Sequence, residues 1–221
     1  MKAHRVSLSL AAATLLALQT ARADDPPATS HGEQLAATCV GCHGQHGEGL
    51  AAGGFPRLAG QSADYLAKQL RDFASGSRES AVMVTFAKAL SAQDIVDVST
   101  YYAALSAPPA TPSGSGGKSS SGSKLANIGD AKLGVQSCAN CHGPNGRGEP
   151  PTVPYLAGQH AAYVTAQLEA WQKGTRRNDS GEQMATLAKK LSAADVAAIA
   201  EHFARQPPPT QPSESHAQPG H

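Results

Sequence analysis

Every cysteine of this chain falls in one of two Cys-X-X-Cys-His pentapeptides, Cys39-Val40-Gly41-Cys42-His43 and Cys138-Ala139-Asn140-Cys141-His142. This spacing is the attachment signature of c-type haem. Two thiols add across the vinyl groups of one porphyrin edge, and two intervening residues on a helical turn bring both sulfurs to that edge. The histidine that follows then points its imidazole at the iron as the proximal ligand. Other uses of the thiols fit less well. A four-cysteine zinc site would leave 95 residues between Cys42 and Cys138, against about 15–20 in ribbon-type sites. A redox-active Cys-X-X-Cys pair expects a strand–helix frame that the sequence pattern does not offer.

The pentapeptides lie inside a much longer repeat. Pro56-Arg57-Leu58-Ala59-Gly60-Gln61 matches Pro154-Tyr155-Leu156-Ala157-Gly158-Gln159, and Tyr65, Gln69, Leu70 and Phe73 match Tyr163, Gln167, Leu168 and Trp171. Gly76-Ser77-Arg78 matches Gly174-Thr175-Arg176, and Met83 through Asp94 matches Met184 through Asp195. The offset is 99 at the first cysteines, 98 at the prolines and 101 at the methionines. The second copy therefore carries three extra residues before its methionine, near Asn178 to Gly181. The pattern predicts one domain written twice, over residues 24–106 and 125–206. Between them, residues 107–124 are rich in Pro, Ser and Gly and read as a flexible tether; residues 207–221 read as a disordered tail.

Each copy is about 80 residues long, a size that barely supports its own core and often needs a staple or cofactor. A covalently held porphyrin supplies the missing apolar surface. Residues 1–23 read as a cleaved export signal: Lys2 and Arg5 precede an apolar run from Val6 to Leu18, and Ala21-Arg22-Ala23 fits the small-X-small cleavage rule. That run is too short for a permanent membrane span. The expectation is a mature, periplasmic protein starting at Asp24. Removing Lys2, Arg5 and Arg22 leaves 15 basic against 17 acidic side chains, a net charge of −2. Nucleic acid, which needs a basic footprint, is excluded.

Within each copy the signals are helical. Ser30 to Glu33 reads as a capping box for a helix running into Cys39, and Asp130 as the cap of its twin before Cys138. Ser62 caps a helix burying Tyr65, Leu66, Gln69 and Phe73; Tyr163, Val164, Gln167 and Trp171 repeat that face. Ser91 and Ser192 open the last helix of each copy, with Ile95, Val98, Tyr102 and Leu105, and Val196, Ile199 and Phe203, on the inner faces. No alternating strand pattern stands out. The fold class expected is all-α.

The iron's second axial position narrows to two residues. The mature chain holds only Met83 and Met184, which lie 40 and 42 residues after His43 and His142, at the same place in the repeat. A thioether is a soft ligand that favours ferrous iron and raises the potential relative to two histidines. Both methionines are read as axial ligands. The other histidines of the mature chain, His31, His46, His160, His202, His216 and His221, are not repeated and read as surface, loop or tail residues. Pro56 and Pro154 lie 13 and 12 residues after the histidines and are candidates to accept the outer N–H of each imidazole. Arg78 and Arg176 are candidates to pair with haem propionates, with a solvated arginine after a helix as the alternative.

These motifs together resemble cytochrome c4, the dihaem member of the class I c-type cytochromes, over residues 30–106 and 125–206. The resemblance rests on both Cys-X-X-Cys-His motifs, the two Pro-X-Leu-Ala-Gly-Gln turns and the Met-to-Leu-Ser-X-X-Asp segments. It implies two tandem class I cytochrome c domains facing each other, His/Met ligation of two covalently bound haem c, and transport of single electrons. It also implies redox partners at the membrane surface: a quinol-oxidising complex as donor and a haem–copper terminal oxidase or other reductase as acceptor. The tether is longer and richer in Gly and Ser than the family pattern, so docking of the two domains must come from their own surfaces. Three other functions remain open. A dihaem enzyme such as a peroxidase needs one open iron; an electron-accepting subunit of a periplasmic dehydrogenase needs a permanent catalytic partner; a haem sensor needs a labile ligand. The sequence sets no oligomeric state.

Overall fold

The computed structural model describes residues 28–107 and 120–209, with the side chains of 28, 29 and 120 left aside. The expected signal peptide, most of the tether and the tail from residue 210 lie outside the described residues. Both described halves are helical, and each repeats one order of elements. The first contains α1 (Ala28–Ala36), α2 (Val40–His43), α3 (Ala63–Ser75), α4 (Met83–Ala89) and α5 (Ala92–Ala104); the second contains α6 (Ser120–Asn127), α7 (Ala139–His142), α8 (Ala161–Lys173), α9 (Gln183–Ala188) and α10 (Ala193–Ala204).

Local chemistry explains most helix boundaries. Ser91 and Ser192 each accept the backbone N–H three residues on, while Asp94 and Asp195 reach back to the serine N–H, so α5 and α10 begin with reciprocal capping boxes. Ser62 caps α3 through the Tyr65 N–H. The predicted inner faces are buried: Leu66 and Phe73 on α3, Ile95, Val98 and Tyr102 on α5, Val164, Leu168 and Trp171 on α8, and Val196, Ile199 and Phe203 on α10.

Two caps expected from the sequence sit elsewhere. α1 starts at Ala28, which puts Ser30 inside the helix. Asp130 caps no helix: it belongs to a two-residue strand, β1 (Gly129–Asp130), paired antiparallel with β2 (Val135–Gln136). Its carboxylate accepts the Lys132 N–H at 2.9 Å and closes the hairpin turn.

The helix that precedes the second haem motif begins at Ser120, inside the stretch expected to be tether. Its alignment explains why. Gly32-Glu33-Gln34-Leu35-Ala36 corresponds to Gly122-Ser123-Lys124-Leu125-Ala126, with Ala36 and Ala126 both buried. A side chain at either glycine has no room. A Cβ on Gly32 would stand 2.3 Å from the Asp97 carbonyl oxygen of α5, and one on Gly122 would stand 2.1 Å from the Ala198 carbonyl oxygen of α10. Each domain thus crosses its first helix against its last with backbone touching backbone. Gly122 follows Gly32 by 90 residues whereas Cys138 follows Cys39 by 99. The nine extra residues lie in the β1–β2 hairpin region.

Replacing Gly122 by leucine overfills the α6–α10 crossing. The expected loss is about 1–3 kcal/mol, read by urea unfolding of the holoprotein. Unchanged stability would mean that residues 120–127 do not pack on α10.

Candidate functional site

The short helices α2 and α7 form on the haem motifs themselves. The His43 and His142 N–H groups donate to the Cys39 and Cys138 carbonyls at 2.9 Å, one helical turn back. That turn brings two thiols and one imidazole together in each domain. All four cysteines are partly exposed, and no disulfide joins them. Burial pushes the Cys138 thiol up to about 11.

Both imidazoles are buried, with 7% exposure each. His43 Nδ1 meets the Pro56 carbonyl oxygen at 2.9 Å, and His142 Nδ1 meets the Pro154 carbonyl oxygen at 2.8 Å. A carbonyl can only accept, so Nδ1 carries the proton and donates it. Burial holds both histidines below the usual range, an effect only partly offset by the proline carbonyls. Each ring is therefore neutral near pH 7, fixed in one tautomer, with its Nε2 lone pair free to bind a metal. Pro56 and Pro154 thus stand at the outer nitrogen of each imidazole.

Met83 is the first residue of α4 and Met184 the second of α9. Both are partly buried, and Met184 packs against the C-terminal core. The Met83 N–H donates to Ser80 Oγ at 3.1 Å, and the Met184 N–H to Asp179 Oδ2 at 2.7 Å.

Arg78 and Arg176 are not solvated. They are 6% and 5% exposed and lie side by side where the two domains meet, joined by a β-bridge. Arg78 donates to Gln69 of its own domain and to Tyr163 and Gln167 of the other; Arg176 donates to Gln167 of its own domain and to Tyr65 and Gln69 of the other. Their guanidinium groups stack on Phe73 and Trp171 at 4.5 and 4.1 Å from the ring centroids. Burial alone would raise the Tyr163 phenol, but the two guanidinium charges outweigh it and hold that group below the usual tyrosine range.

The Pro-X-Leu-Ala-Gly-Gln turns form a second part of the interface. Gln159 Oε1 accepts the Arg57 N–H at 2.9 Å and its Nε2 donates to the Arg57 carbonyl at 3.0 Å. Gln61 does the same to Tyr155, at 3.2 Å for both bonds. Tyr155 Oη donates to the Ala59 carbonyl at 2.6 Å, and Arg57 Nε to the Gly158 carbonyl at 3.1 Å. Outside these pairs, Ser62 Oγ donates to the Pro151 carbonyl and His160 Nε2 to the Glu48 carbonyl. His160 is thus an interface residue and not a surface one. His31 joins α1 to Asp97 of α5 at 2.8 Å, and His202 Nε2 is buried. His216 and His221 lie outside the described residues.

The site accommodates two haem groups. Each domain offers a thiol pair, a neutral imidazole and a thioether at matching places. Two buried guanidinium groups face neutral oxygens, with no carboxylate ion-paired to either among the described residues. The Trp171 Nε1–H beside them is buried without an acceptor. Such donors suit a porphyrin's carboxylates. The sequence reading missed the roles of Gln61, Gln159, Gln69 and Gln167. The available signal was glutamine repeated where an apolar face or a turn was expected. It also missed Asp179, whose signal was the three-residue insertion.

Comparison with known proteins places this geometry. The family described as cytochrome c matches residues 29–106 and 122–205. The chain is 43% identical over 200 residues to a thiosulfate dehydrogenase electron acceptor of Thiomonas intermedia, covering 90% of each protein. It is 38% identical over 176 residues to cytochrome c4 of Pseudomonas aeruginosa, covering 78% of this chain and 85% of that one. Among solved structures it is similar to a thiosulfate dehydrogenase of Marichromatium purpuratum, with a TM-score of 0.77 and 36% identity. That match covers 81% of this chain and 40% of the other, so the chain spans well under half the length of that enzyme.

Replacing both Gln61 and Gln159 by alanine strands four buried backbone groups, each costing about 1–3 kcal/mol. The expected result is separated domains: a larger radius of gyration by small-angle scattering, with helix content and haem absorption unchanged. An unchanged radius would mean that the glutamines do not hold the domains. Burial holds His160 below its ordinary 6.5 against the opposing Glu48 carbonyl, and the Arg57 charge lowers it further. The undocked form then binds the proton more readily. The His160 contribution to docking is therefore fully present above about pH 6.5 and is lost as pH falls below it. His160→Gln should remove that step from a scattering titration.

Proposed function

Because this chain belongs to the cytochrome c family, in the duplicated cytochrome c4 form that carries two covalently bound haem c, we propose that it accepts electrons from a thiosulfate-oxidising dehydrogenase in the periplasm. It then passes them singly towards a terminal oxidase. The chain is an electron carrier, and the donor named here replaces the quinol-oxidising complex implied by the sequence reading. The observation that carries this choice is 43% identity, over nine-tenths of both chains, to a protein named as the electron acceptor of thiosulfate dehydrogenase.

The residues fit a carrier. Bound haem supplies a one-electron centre cycling between ferric and ferrous iron. Cys39 and Cys42, and Cys138 and Cys141, anchor it by thioether bonds. His43 with Met83, and His142 with Met184, would hold the two irons. Pro56 and Pro154 hold the imidazoles so that little reorganises when an electron arrives. Arg78 and Arg176, shared by both domains, would supply the positive charge that offsets haem propionates. Export by a cleaved leader over residues 1–23 supplies the compartment where cysteine attachment occurs. No helix among the described residues is long and apolar enough to cross a membrane.

Two measurements test this reading. Stopped-flow mixing of oxidised holoprotein with thiosulfate dehydrogenase and thiosulfate should reduce both haems at the enzyme's turnover rate. Reduction by a quinol-oxidising complex, and none by the dehydrogenase, would return the protein to the general respiratory carriers. Met83→Ala should make one haem of two reactive to carbon monoxide and lower its midpoint in a spectroelectrochemical titration. If both haem spectra stay unchanged, Met83 is not a ligand.

A further inference from the structure

The two methionines are delivered by loops built on different chemistry. In the N-terminal domain a neutral hydroxyl, Ser80 Oγ, accepts the Met83 N–H. In the C-terminal domain the loop is three residues longer, and a carboxylate takes over. Asp179 Oδ2 accepts the N–H groups of Met184 at 2.7 Å and Ala185 at 3.2 Å. Asp179 Oδ1 is buried with no hydrogen-bond partner among the described residues, and no basic side chain there pairs with it.

The preceding residue belongs as much to the other domain. Asn178 Nδ2 donates to Gln69 Oε1 at 2.9 Å and to Asp72 Oδ2 at 2.6 Å, both on α3 of the N-terminal domain. Lys68 Nζ, also on α3, donates to the Asn178 carbonyl at 2.7 Å, and Arg176 Nε donates to Asn178 Oδ1 at 3.1 Å. Two consecutive residues thus link α3 of one domain to the methionine backbone of the other.

We propose that Asn178 and Asp179 are a positioning pair for the C-terminal iron: Asp179 fixes the backbone of Met184, and the N-terminal domain fixes Asp179 through Asn178. This rests on the reading of Met184 as a ligand. The first N–H groups of a helix have no partner within it, so in the six-residue α9 an outside acceptor decides where Met184 sits. A charged acceptor makes that bond about twice as strong as a neutral one. The loop needs the hold, because Glu182 adopts φ 54°, a left-handed conformation that disfavours a side chain. The same carboxylate puts a negative charge on the backbone that carries Met184, where the N-terminal domain has the neutral hydroxyl of Ser80. Negative charge favours ferric iron, so Asp179 keeps the C-terminal haem's potential below the value its ligands alone would set.

The test compares four variants of the holoprotein by three readouts: the methionine-to-iron charge-transfer band of the ferric form, carbon monoxide binding by the ferrous form, and the two midpoints. Met184→Ala removes about half of the band, because one haem of two loses its thioether. Asp179→Ala reproduces much of that loss and opens one haem to carbon monoxide. Asn178→Ala does so to a smaller degree. Asp179→Asn keeps an acceptor without the charge, so the band survives while one midpoint rises and the other stays. If Asp179→Ala does not fold, Asp179→Asn and Asn178→Ala carry the test. The proposal is overturned if Met184→Ala halves the band while the Asp179 and Asn178 variants match the wild type in all three readouts. If Met184→Ala leaves the band intact, the ligand reading fails first and the positioning role falls with it.

Discussion

Two glutamine side chains pair with the backbone of the opposite domain, and most of the structure depends on that exchange. Gln159 satisfies the N–H and carbonyl of Arg57, and Gln61 satisfies those of Tyr155. The gripped residues immediately follow Pro56 and Pro154, whose carbonyls hold the two histidines. One continuous strip therefore runs from imidazole to proline to the other domain's glutamine. Domain docking and the orientation of the proximal histidine are set by the same turn.

The magnitudes favour docking. Four bonds at about 0.5–1.5 kcal/mol each, with the Tyr155 and Arg57 bonds beside them, are set against separation of two domains on one chain. Covalent connection keeps the partners at an effective concentration in the millimolar range, where about 4 kcal/mol suffices to hold half of them together. The glutamine bonds alone reach that order. The arginine cluster adds a different constraint. Two guanidinium groups buried together are costly unless an anion or its equivalent joins them, the part that the proposed function gives to the haem carboxylates.

Duplication leaves the halves similar but not equal. The N-terminal domain sets Phe55 edge-on to His43 at 6.2 Å, where its counterpart has Val153. The C-terminal domain has the larger apolar cluster, built around Leu168, Trp171 and Phe203. Its methionine hangs from a carboxylate and not a hydroxyl. Residues 24–106 carry 5 basic against 9 acidic side chains, and residues 125–206 carry 8 against 7. Two iron sites in unlike surroundings suit a carrier whose electrons enter and leave in a preferred direction.

Cofactor, repeat and helix starts were legible because they are local or covalent. Haem attachment needs two thiols and a histidine within one turn, and a serine three residues before an aspartate caps a helix wherever it stands. Low-complexity composition concealed α6, since Ser120 to Ser123 reads as tether until Gly122 is seen to meet the Ala198 carbonyl. Asp130 looked like a cap and proved to be a hairpin residue, because nine extra residues separate that helix from its cysteine. By itself the sequence determined that two c-type haem domains exist and which residues each offers for attachment. Only the tertiary structure decided that the domains dock, that Arg78 and Arg176 meet, and that Asn178 leans on α3. Those facts come from side chains about 90 to 110 residues apart, and no local rule of spacing or propensity reaches across such a gap.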